Sequence, residues 1–182
     1  MEAKQLADEL NGFNQERKDI EGFVLEQSIE MLEGTPQSWP MAFVYNKGWH
    51  QGVIGIVAGK LKERYNLPAF VMSIEDDEVK GSARSIPGVD LGALIIAAKE
   101  KGVLTKGGGH TMAAGFSLTE AQIPAFRTFA GEYIARSLNN TRPHPVINID
   151  LSLSLPAANA GLCSELERLK PFGTGNPEPL LL

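Results

Sequence analysis

The residues most able to bind an anion lie in Lys80-Gly-Ser-Ala-Arg-Ser-Ile-Pro-Gly88. This segment is typical of a polar strand, in which side chains alternate between faces, so Ser82 and Arg84 are predicted to project together. A guanidinium fits a phosphate bidentately, and a serine hydroxyl adds a neutral donor. The alternative is an exposed edge strand with a solvated Arg84.

A second anion-binding candidate is the run Gly107-Gly108-Gly109-His110. Three consecutive glycines cost backbone entropy, so they indicate either a turn through positive φ or a close approach to the main chain. Their N–H groups can form a nest for an oxyanion, and His110 can add a donor. The alternative is a tight helix-to-strand turn with His110 beside it. About 25 residues separate this run from Arg84, and neighbouring strands would join the two in one site.

A third candidate is Gly48-Trp-His50-Gln-Gly52 at the start of a predicted helix. A helix N-terminus favours anions, so His50 could face a ligand there. The alternative is that Trp49 anchors the loop and His50 caps the helix. Metal chemistry is not supported, because the three histidines, at 50, 110 and 144, do not pair with one another or with cysteine at metal-ligand spacing. No cofactor is predicted for this chain.

The elements that must position these residues follow from hydrophobic periodicity and from turn and cap signals. Asp90 is a predicted N-cap, and Thr119-Glu-Ala-Gln122 has the spacing of a capping box. The predicted order is strand 41–45, helix 52–64, strand 69–74, strand 79–85, helix 91–101, a glycine-rich loop, strand 111–118 and helix 119–138. This β-α-β-β-α-β-α order predicts an α/β (α+β) domain with a mixed sheet flanked by helices.

The flanking segments predict a helix before the domain and a short segment after it. Residues 2–33 carry a helical apolar stripe with a predicted interruption at Asn11-Gly12, and a loop is predicted at 34–40. A linker at 139–145 precedes a predicted strand at 146–155 and a helix at 159–169. One strand and one helix cannot form a stable domain. The predicted division is therefore 1–35, 36–140 and a partial domain at 144–182.

Composition excludes some classes of protein but does not exclude an anionic partner. Of the net charge of −5, most belongs to residues 1–33, which carry nine acidic and three basic side chains, so the rest of the chain can still hold an anion site. The single cysteine, Cys163, excludes an internal disulfide. No apolar run approaches the roughly 18 residues of a membrane span, and no signal-peptide pattern is present, so a cytoplasmic location without a membrane is expected.

A family resemblance covers nearly the whole chain. The segments GWHQGVIGIVAGKLKERYNLPAFVMS, KGSARSIPGVDLGALI and KGGGHTMAAGFSL occur in this order. Together they resemble the DHH-associated domain of the DHH-family phosphoesterases, and most closely the RecJ-type single-stranded-DNA-specific exonucleases. INIDLSLSL followed by ELERLKPFGTGNPEP resembles the start of the oligonucleotide-binding (OB) fold of that family. LNGFNQERKDIEGFV resembles the long helix that connects to its catalytic domain.

The resemblance implies an activity for the complete protein. It implies a metal-dependent 5′-to-3′ exonuclease that acts on single-stranded DNA in recombination and repair. The family's metal ligands, including its Asp-His-His motif, lie in a catalytic DHH domain that has no counterpart in this sequence. Mn²⁺ or Mg²⁺ is therefore expected in that domain, and this chain alone is expected to be inactive. The implied partners are single-stranded DNA and the catalytic domain of the same protein.

The resemblance also assigns roles to the three segments. Ser82, Arg84 and Ser85 match the family's Ser-x-Arg-Ser segment, which is implied to grip substrate phosphate, although Ala83 replaces the glycine of many relatives. The run Gly107 to His110 matches a glycine-rich loop that is implied to close over the phosphate, with His110 stabilising charge in the transition state. His50 matches the Trp-His segment.

Two other functions remain open from the sequence. One is a DHH-type phosphodiesterase of short oligoribonucleotides or cyclic dinucleotides, against which the OB-like segment argues. The other is a non-catalytic module that binds nucleic acid or protein. The apolar stripe of the first helix leaves room for a homodimer through that helix.

Overall fold

The structure, a computed structural model, describes residues 2–34 and 40–182 of the chain. They divide into two units, Met1–His144 and Pro145–Leu182. The elements of the first unit are α1 (Glu2–Glu33), β1 (Ala42–Lys47), α2 (Ile54–Tyr65), β2 (Ala69–Glu75), β3 (Glu78–Arg84), α3 (Leu91–Glu100), β4 (Lys106–His110), β5 (Ala113–Thr119) and α4 (Ile123–Ser137). Most of the loop predicted at 34–40 lies outside the described residues.

The five strands form one open sheet in the order β1-β2-β3-β5-β4. β1 and β2 are parallel, and α2 forms the crossover that a parallel pair requires. The other neighbouring strands are antiparallel. This mixed sheet, flanked by helices and preceded by a long helix, confirms the predicted fold class, with one strand more than predicted.

One face of the sheet packs against α3 and α4. Four phenylalanines, Phe43, Phe70, Phe116 and Phe126, meet in this layer with ring centroids 4.8 to 6.1 Å apart. Full burial of such a side chain contributes roughly 1.5–3 kcal/mol. Gly81 is required beneath the Phe116 ring, because a Cβ at that position would lie 2.2 Å from a ring carbon. This layer is the larger of two hydrophobic cores.

The opposite face is covered over only part of its width. Small apolar residues of β1 and β2 pack there against α2 and the second half of α1, and they include Ala42, Val44, Ala69 and Val71. Beyond them, the residues of β3, β5 and β4 that project from this face are partly or fully exposed. The helices therefore leave half of this face open to solvent.

α1 is packed along only its second half. Residues 3–16 are exposed, whereas Val24 and Leu32 are buried in the core beneath α2. The predicted interruption at Asn11-Gly12 does not occur, since the helix is continuous through Gly12. A single glycine costs a helix only about 1 kcal/mol relative to alanine. None of the described helices, α1 included, is long and apolar enough to cross a membrane.

Local signals set the start of α3 as predicted, whereas α2 and α4 begin later than predicted. The Asp90 carboxylate accepts a hydrogen bond from the Ala93 N–H (3.0 Å) and caps α3. Thr119 and Gln122 form the predicted capping box, which opens a short 3₁₀ turn before α4. α2 begins at Ile54, two residues later than predicted, because the preceding residues form a turn that the His50 ring caps.

The glycine-rich segment is a strand, β4, and not the predicted loop. β4 and β5 form a hairpin whose turn is Thr111-Met112, a turn that the sequence did not indicate. The strand predicted at 111–118 therefore begins two residues later, at Ala113. The prediction that the Arg84 strand and the glycine segment are neighbours is also wrong, because β5 lies between β3 and β4. Glycine has no side chain, so a run of it gives no periodic signal for a strand.

The second unit contains little regular structure. Its only α-helix in the described residues is α5 (Ala160–Glu167), which corresponds to the helix predicted at 159–169. The predicted strand at 146–155 is wrong, because the segment makes only an isolated bridge, from Leu151 to Leu181. None of the described residues of this unit is buried. A strand needs several paired residues and a covered face to be stable, and this segment has one bridge and no buried residue.

Candidate functional site

The open part of the sheet brings together residues that are distant in the chain. Side chains at directly paired positions of neighbouring strands project from the same face. Three cross-strand rows project from the uncovered side: Arg84–Ala113–His110, Ser82–Gly115–Gly108 and Lys80–Ser117–Lys106. We call these nine residues the open half-face. It carries four basic side chains and, because Ala113 is its largest apolar residue, a flat and polar floor.

Arg84 is the best-positioned cation of the open half-face. It is half-buried, and its Nη1 donates hydrogen bonds to Ser82 Oγ (3.1 Å) and to the Ala83 carbonyl (2.9 Å). The prediction that Ser82 and Arg84 project together is confirmed. Among the described residues, no carboxylate lies within ion-pair distance of Arg84. A partly desolvated guanidinium without a counter-ion is prepared to bind an anion.

His110 lies at the other end of the same row as Arg84. Two interstrand spacings separate them, which places their Cα atoms roughly 10 Å apart. His110 is exposed, and its side chain has no hydrogen-bond partner among the described residues. The two residues therefore share a face although their strands are not neighbours, and they can contact different anionic groups of one ligand.

The three glycines of β4 have three different surroundings. A Cβ at Gly107 would lie 2.6 Å from Ile95 Cγ2 of α3, and one at Gly109 would lie 2.5 Å from the Ala113 carbonyl oxygen. At Gly108, which projects from the open half-face, a Cβ would meet nothing within 4 Å. None of the three has positive φ. Close packing explains Gly107 and Gly109, and Gly108 leaves the floor bare for an approaching ligand.

The N-terminal turns of α2 form a wall beside Arg84 that the sequence did not single out. A Cβ at Gly55 would lie 3.1 Å from both Arg84 Nη2 and Ser82 Oγ. Gly59, one turn later on the same side of the helix, has open space around it. The sequence did contain a signal for this wall, namely two glycines four residues apart in a helix. Each costs the helix about 1 kcal/mol relative to alanine and therefore needs a reason.

Ser85 does not belong to the open half-face. It is buried, and its hydroxyl donates to the carbonyls of Val89 (2.7 Å) and Ile86 (3.2 Å). Its backbone N–H donates to the Met112 carbonyl (2.9 Å). With its proton engaged inside the loop, Ser85 positions the backbone after β3, and the expected contact with phosphate has no support in this geometry.

His50 lies in a separate hollow that meets the open half-face at Lys80. The hollow has a volume of about 530 Å³ and is lined by Gly48, Trp49, His50, Gln51, Ser73, Ile74, Glu75 and Lys80. Trp49 is buried and donates from Nε1 to Gln27 Oε1 of α1 (2.8 Å). His50 Nδ1 accepts from the Gly52 N–H (3.0 Å). The burial of Trp49 agrees with the alternative in which it anchors the loop. His50 caps the turn before α2 and not the helix itself, whose N-cap residue is Val53 and has no side-chain hydrogen bond.

The described residues do not form a metal centre. No group of three or more His, Cys, Asp or Glu side chains among them could hold a metal ion. The nine residues of the open half-face include no carboxylate, and Mg²⁺ and Mn²⁺ prefer carboxylate, carbonyl and water oxygens. This donor set does not fit either ion. It supplies positive charge and hydrogen-bond donors, which bind an anion and stabilise negative charge.

Two family models match the chain. The DHHA1 domain model matches residues 39–136, which include the whole sheet and the open half-face. The RecJ OB domain model matches residues 149–182, within the second unit.

Known proteins match the chain along its whole length. The single-stranded-DNA-specific exonuclease RecJ of Bacillus subtilis is 34% identical over 183 aligned residues, which cover 100% of this chain and 23% of that protein. Crystal structures of Thermus thermophilus RecJ with Mg²⁺ and with Mn²⁺ superpose with TM-scores of 0.81 and 0.83 and are 32% and 31% identical. Each covers 99% of this chain, and the chain covers 27% and 26% of those structures. The chain thus spans about a quarter of the length of these relatives.

Proposed function

The chain belongs to the DHHA1 domain family, and we propose on this premise that it is the substrate-binding part of a single-stranded-DNA-specific exonuclease of the RecJ type. The complete enzyme would digest DNA from 5′ to 3′ in recombination and repair in the cytoplasm. A DHH domain elsewhere in that protein would hold Mg²⁺ or Mn²⁺. In this proposal the present chain binds the strand and does not cleave it alone. The RecJ relatives, matched over this whole chain, support it.

One observation carries the binding role. Arg84 is half-buried, hydrogen-bonded to Ser82 and without a carboxylate partner among the described residues. Most other cations of the first unit are exposed or paired with an acid, as Lys60 is with Glu21 and Arg64 with Glu33. Partial burial of this guanidinium costs desolvation free energy that no ion pair offsets. A bound phosphate would supply the missing anion.

The remaining residues would act around that phosphate. Arg84 and Ser82 would donate hydrogen bonds to its oxygens, with Gly55 leaving room for the guanidinium. Gly108 would let the sugar-phosphate chain lie against β4. His110, in the same row, would stabilise negative charge that develops near the scissile bond. Each of these groups positions the strand or neutralises its charge.

The open half-face would bind the sugar-phosphate chain without reading base sequence. Its four basic side chains lie along a glycine-rich floor, and contacts to phosphate carry no sequence information. Binding through phosphates should weaken steeply with salt, with a slope of about −0.7 per neutralised phosphate for a single strand. An exonuclease without sequence preference requires this kind of surface.

The test is a fluorescence-anisotropy titration of the 182-residue chain with a labelled single-stranded oligonucleotide and with its duplex, at two salt concentrations. Arg84→Ala should weaken single-strand binding about tenfold or more, because a hydrogen bond to a charged group contributes roughly 1.5–3 kcal/mol. It should also lower the salt slope by about 0.7. Lys99→Ala is the matched control, since it removes an exposed cation from α3, on the other side of the sheet.

Equal binding by wild type and Arg84→Ala would show that the phosphate site is wrongly assigned. Displacement of the oligonucleotide by a cyclic dinucleotide at much lower concentration would favour the phosphodiesterase alternative. Thermal unfolding of both variants checks that any loss of binding is not a loss of fold.

A further inference from the structure

A hollow of about 250 Å³ lies beyond the Arg84 end of the open half-face. It is lined by Lys62, Glu63 and Asn66 of α2 and its C-cap, by Ser85, Ile86 and Pro87 after β3, and by Met112 of the β4–β5 turn. Arg84 is adjacent to Ser85 in the chain, and it pairs across the sheet with Ala113, which follows Met112. The hollow therefore continues the row that ends at Arg84.

Hydrogen bonds fix the two loops that form this hollow. The Ser85 N–H donates to the Met112 carbonyl (2.9 Å), and the Leu91 N–H donates to the Thr111 carbonyl (3.1 Å). The Ser85 hydroxyl donates to the Val89 carbonyl (2.7 Å) and closes the loop that carries Pro87. Pro87 and Met112 are thus presented on held backbone, which lowers the entropy lost when a ligand contacts them.

The lining differs in character from the open half-face. Met112 keeps 45% of its surface exposed, and Pro87 is exposed beside it, so the hollow offers an apolar contact surface. On the α2 side, the Lys62 side chain is only 29% exposed, and its ammonium pairs with Glu63 at 3.5 Å. This separation is longer than the roughly 2.7–2.9 Å of a charge-assisted hydrogen bond, so the ammonium can also turn to a phosphate. An apolar surface with a cation next to it matches a nucleotide, whose base has an apolar face and whose phosphate is anionic.

We propose that the nucleobase adjoining the phosphate held by Arg84 occupies this hollow, against Met112 and Pro87, with Lys62 beside the neighbouring phosphate. This inference rests on the proposed function and adds a base-contacting subsite to it. A thioether and a proline ring contact the face of any base and leave its hydrogen-bonding edge unread. The subsite therefore strengthens binding of base-bearing strands without introducing sequence preference.

The experiment compares the 182-residue chain on two labelled probes of equal length, oligothymidylate and an oligomer of abasic tetrahydrofuran nucleotides. Wild type should bind oligothymidylate about fivefold or more tightly. Met112→Ala should reduce that preference about threefold or more and leave the affinity for the abasic probe unchanged, whereas Met112→Leu should retain it. Lys62→Met should weaken the binding of both probes to the same extent and lower the salt slope by about 0.7.

Ile96→Ala and Lys99→Ala are the matched controls, because both residues are exposed on α3, which packs on the opposite face of the sheet. Equal binding of the two probes by wild type, or an undiminished preference in Met112→Ala, would overturn the subsite while leaving the phosphate site intact. If wild type binds neither probe, both the subsite and the proposed function are rejected.

Discussion

At the scale of single residues, identical glycines have separable roles in this sheet. Gly109 is needed by the fold, because β5 occupies the space where its Cβ would lie. Gly108 is not needed by the fold, because its Cβ would point into open space above the sheet. Adjacent strand residues project from opposite faces, so two neighbours in sequence can serve packing and binding separately.

Valine at these two positions should therefore have opposite effects. Gly108→Val should leave stability unchanged or raise it by up to about 1 kcal/mol, because valine favours strands, while weakening single-strand binding about tenfold by occupying the floor. Gly109→Val should destabilise the chain by roughly 1–3 kcal/mol through overpacking. Urea unfolding and anisotropy on the same samples check both expectations. Loss of stability in Gly108→Val would contradict the assigned roles.

A second residue-scale prediction concerns Gly55 of α2. Alanine there adds about 1 kcal/mol of helix propensity, but its Cβ crowds Arg84 Nη2 and Ser82 Oγ at 3.1 Å. We expect Gly55→Ala to change stability by less than about 1 kcal/mol and to weaken oligonucleotide binding severalfold. Gly59→Ala is the control, because its Cβ meets nothing within 4 Å, and it should stabilise with little change in affinity. Denaturant titration and anisotropy distinguish the two.

At the scale of elements, a buried carboxylate joins α1 to α2. Glu21 is buried and pairs with Lys60 of α2 and with Arg17 (2.6 Å) one turn earlier in α1. The hydrogen bond from Lys60, followed by that from Arg17 and by the charges of both, lowers the pKa of Glu21, against the opposing effect of burial. Because α2 carries the wall beside Arg84, this contact helps to hold the site.

The lowered pKa of Glu21 predicts a pH-dependent contribution to stability. A carboxyl with a lower pKa in the folded state stabilises the fold above its unfolded pKa of about 4.3, and that contribution is lost as pH falls through the folded pKa. Glu21→Gln should thus cost about 1 kcal/mol at pH 7, and the difference from wild type should shrink towards about pH 3. Urea unfolding at both pH values is the measurement. A difference that stays constant with pH would exclude the ion pair as its cause.

At the scale of the whole molecule, the apolar stripe of α1 extends beyond the core it helps to cover. Leu6, Leu10 and Phe13 are each more than half exposed and continue the line of Val24, which is buried. They recur at helical spacing on one side of the helix. Residues at this spacing can pack against a second helix, so the predicted homodimer through α1 has a defined surface.

A charge on that stripe should prevent self-association. If two copies pair through α1, the mass measured by analytical ultracentrifugation should rise with concentration, and Leu10→Glu should hold it at the monomer value. Asn11→Glu adds the same charge to an exposed position away from the stripe and should leave the association unchanged. A monomer at every concentration in wild type would reject the homodimer.

Sequence alone determined the features whose causes are local. The Asp90 cap, the Thr119 capping box and the helices α2 to α5 follow from residues within one or two turns of each other. The same local alternation put Ser82 and Arg84 on one side of β3. In each case the physical cause, a cap hydrogen bond or a buried stripe, lies within the segment itself.

The tertiary structure decided which segments meet. Pairing through β5 put His110 in the row of Arg84, and packing against α3 and β5 distinguished Gly107 and Gly109 from Gly108. The predicted strand at 146–155 pairs only through an isolated bridge, from Leu151 to Leu181, and is largely irregular. Strand order, register and the space around a glycine depend on contacts between distant residues. Local periodicity carries no information about them, so only the assembled sheet revealed the open half-face.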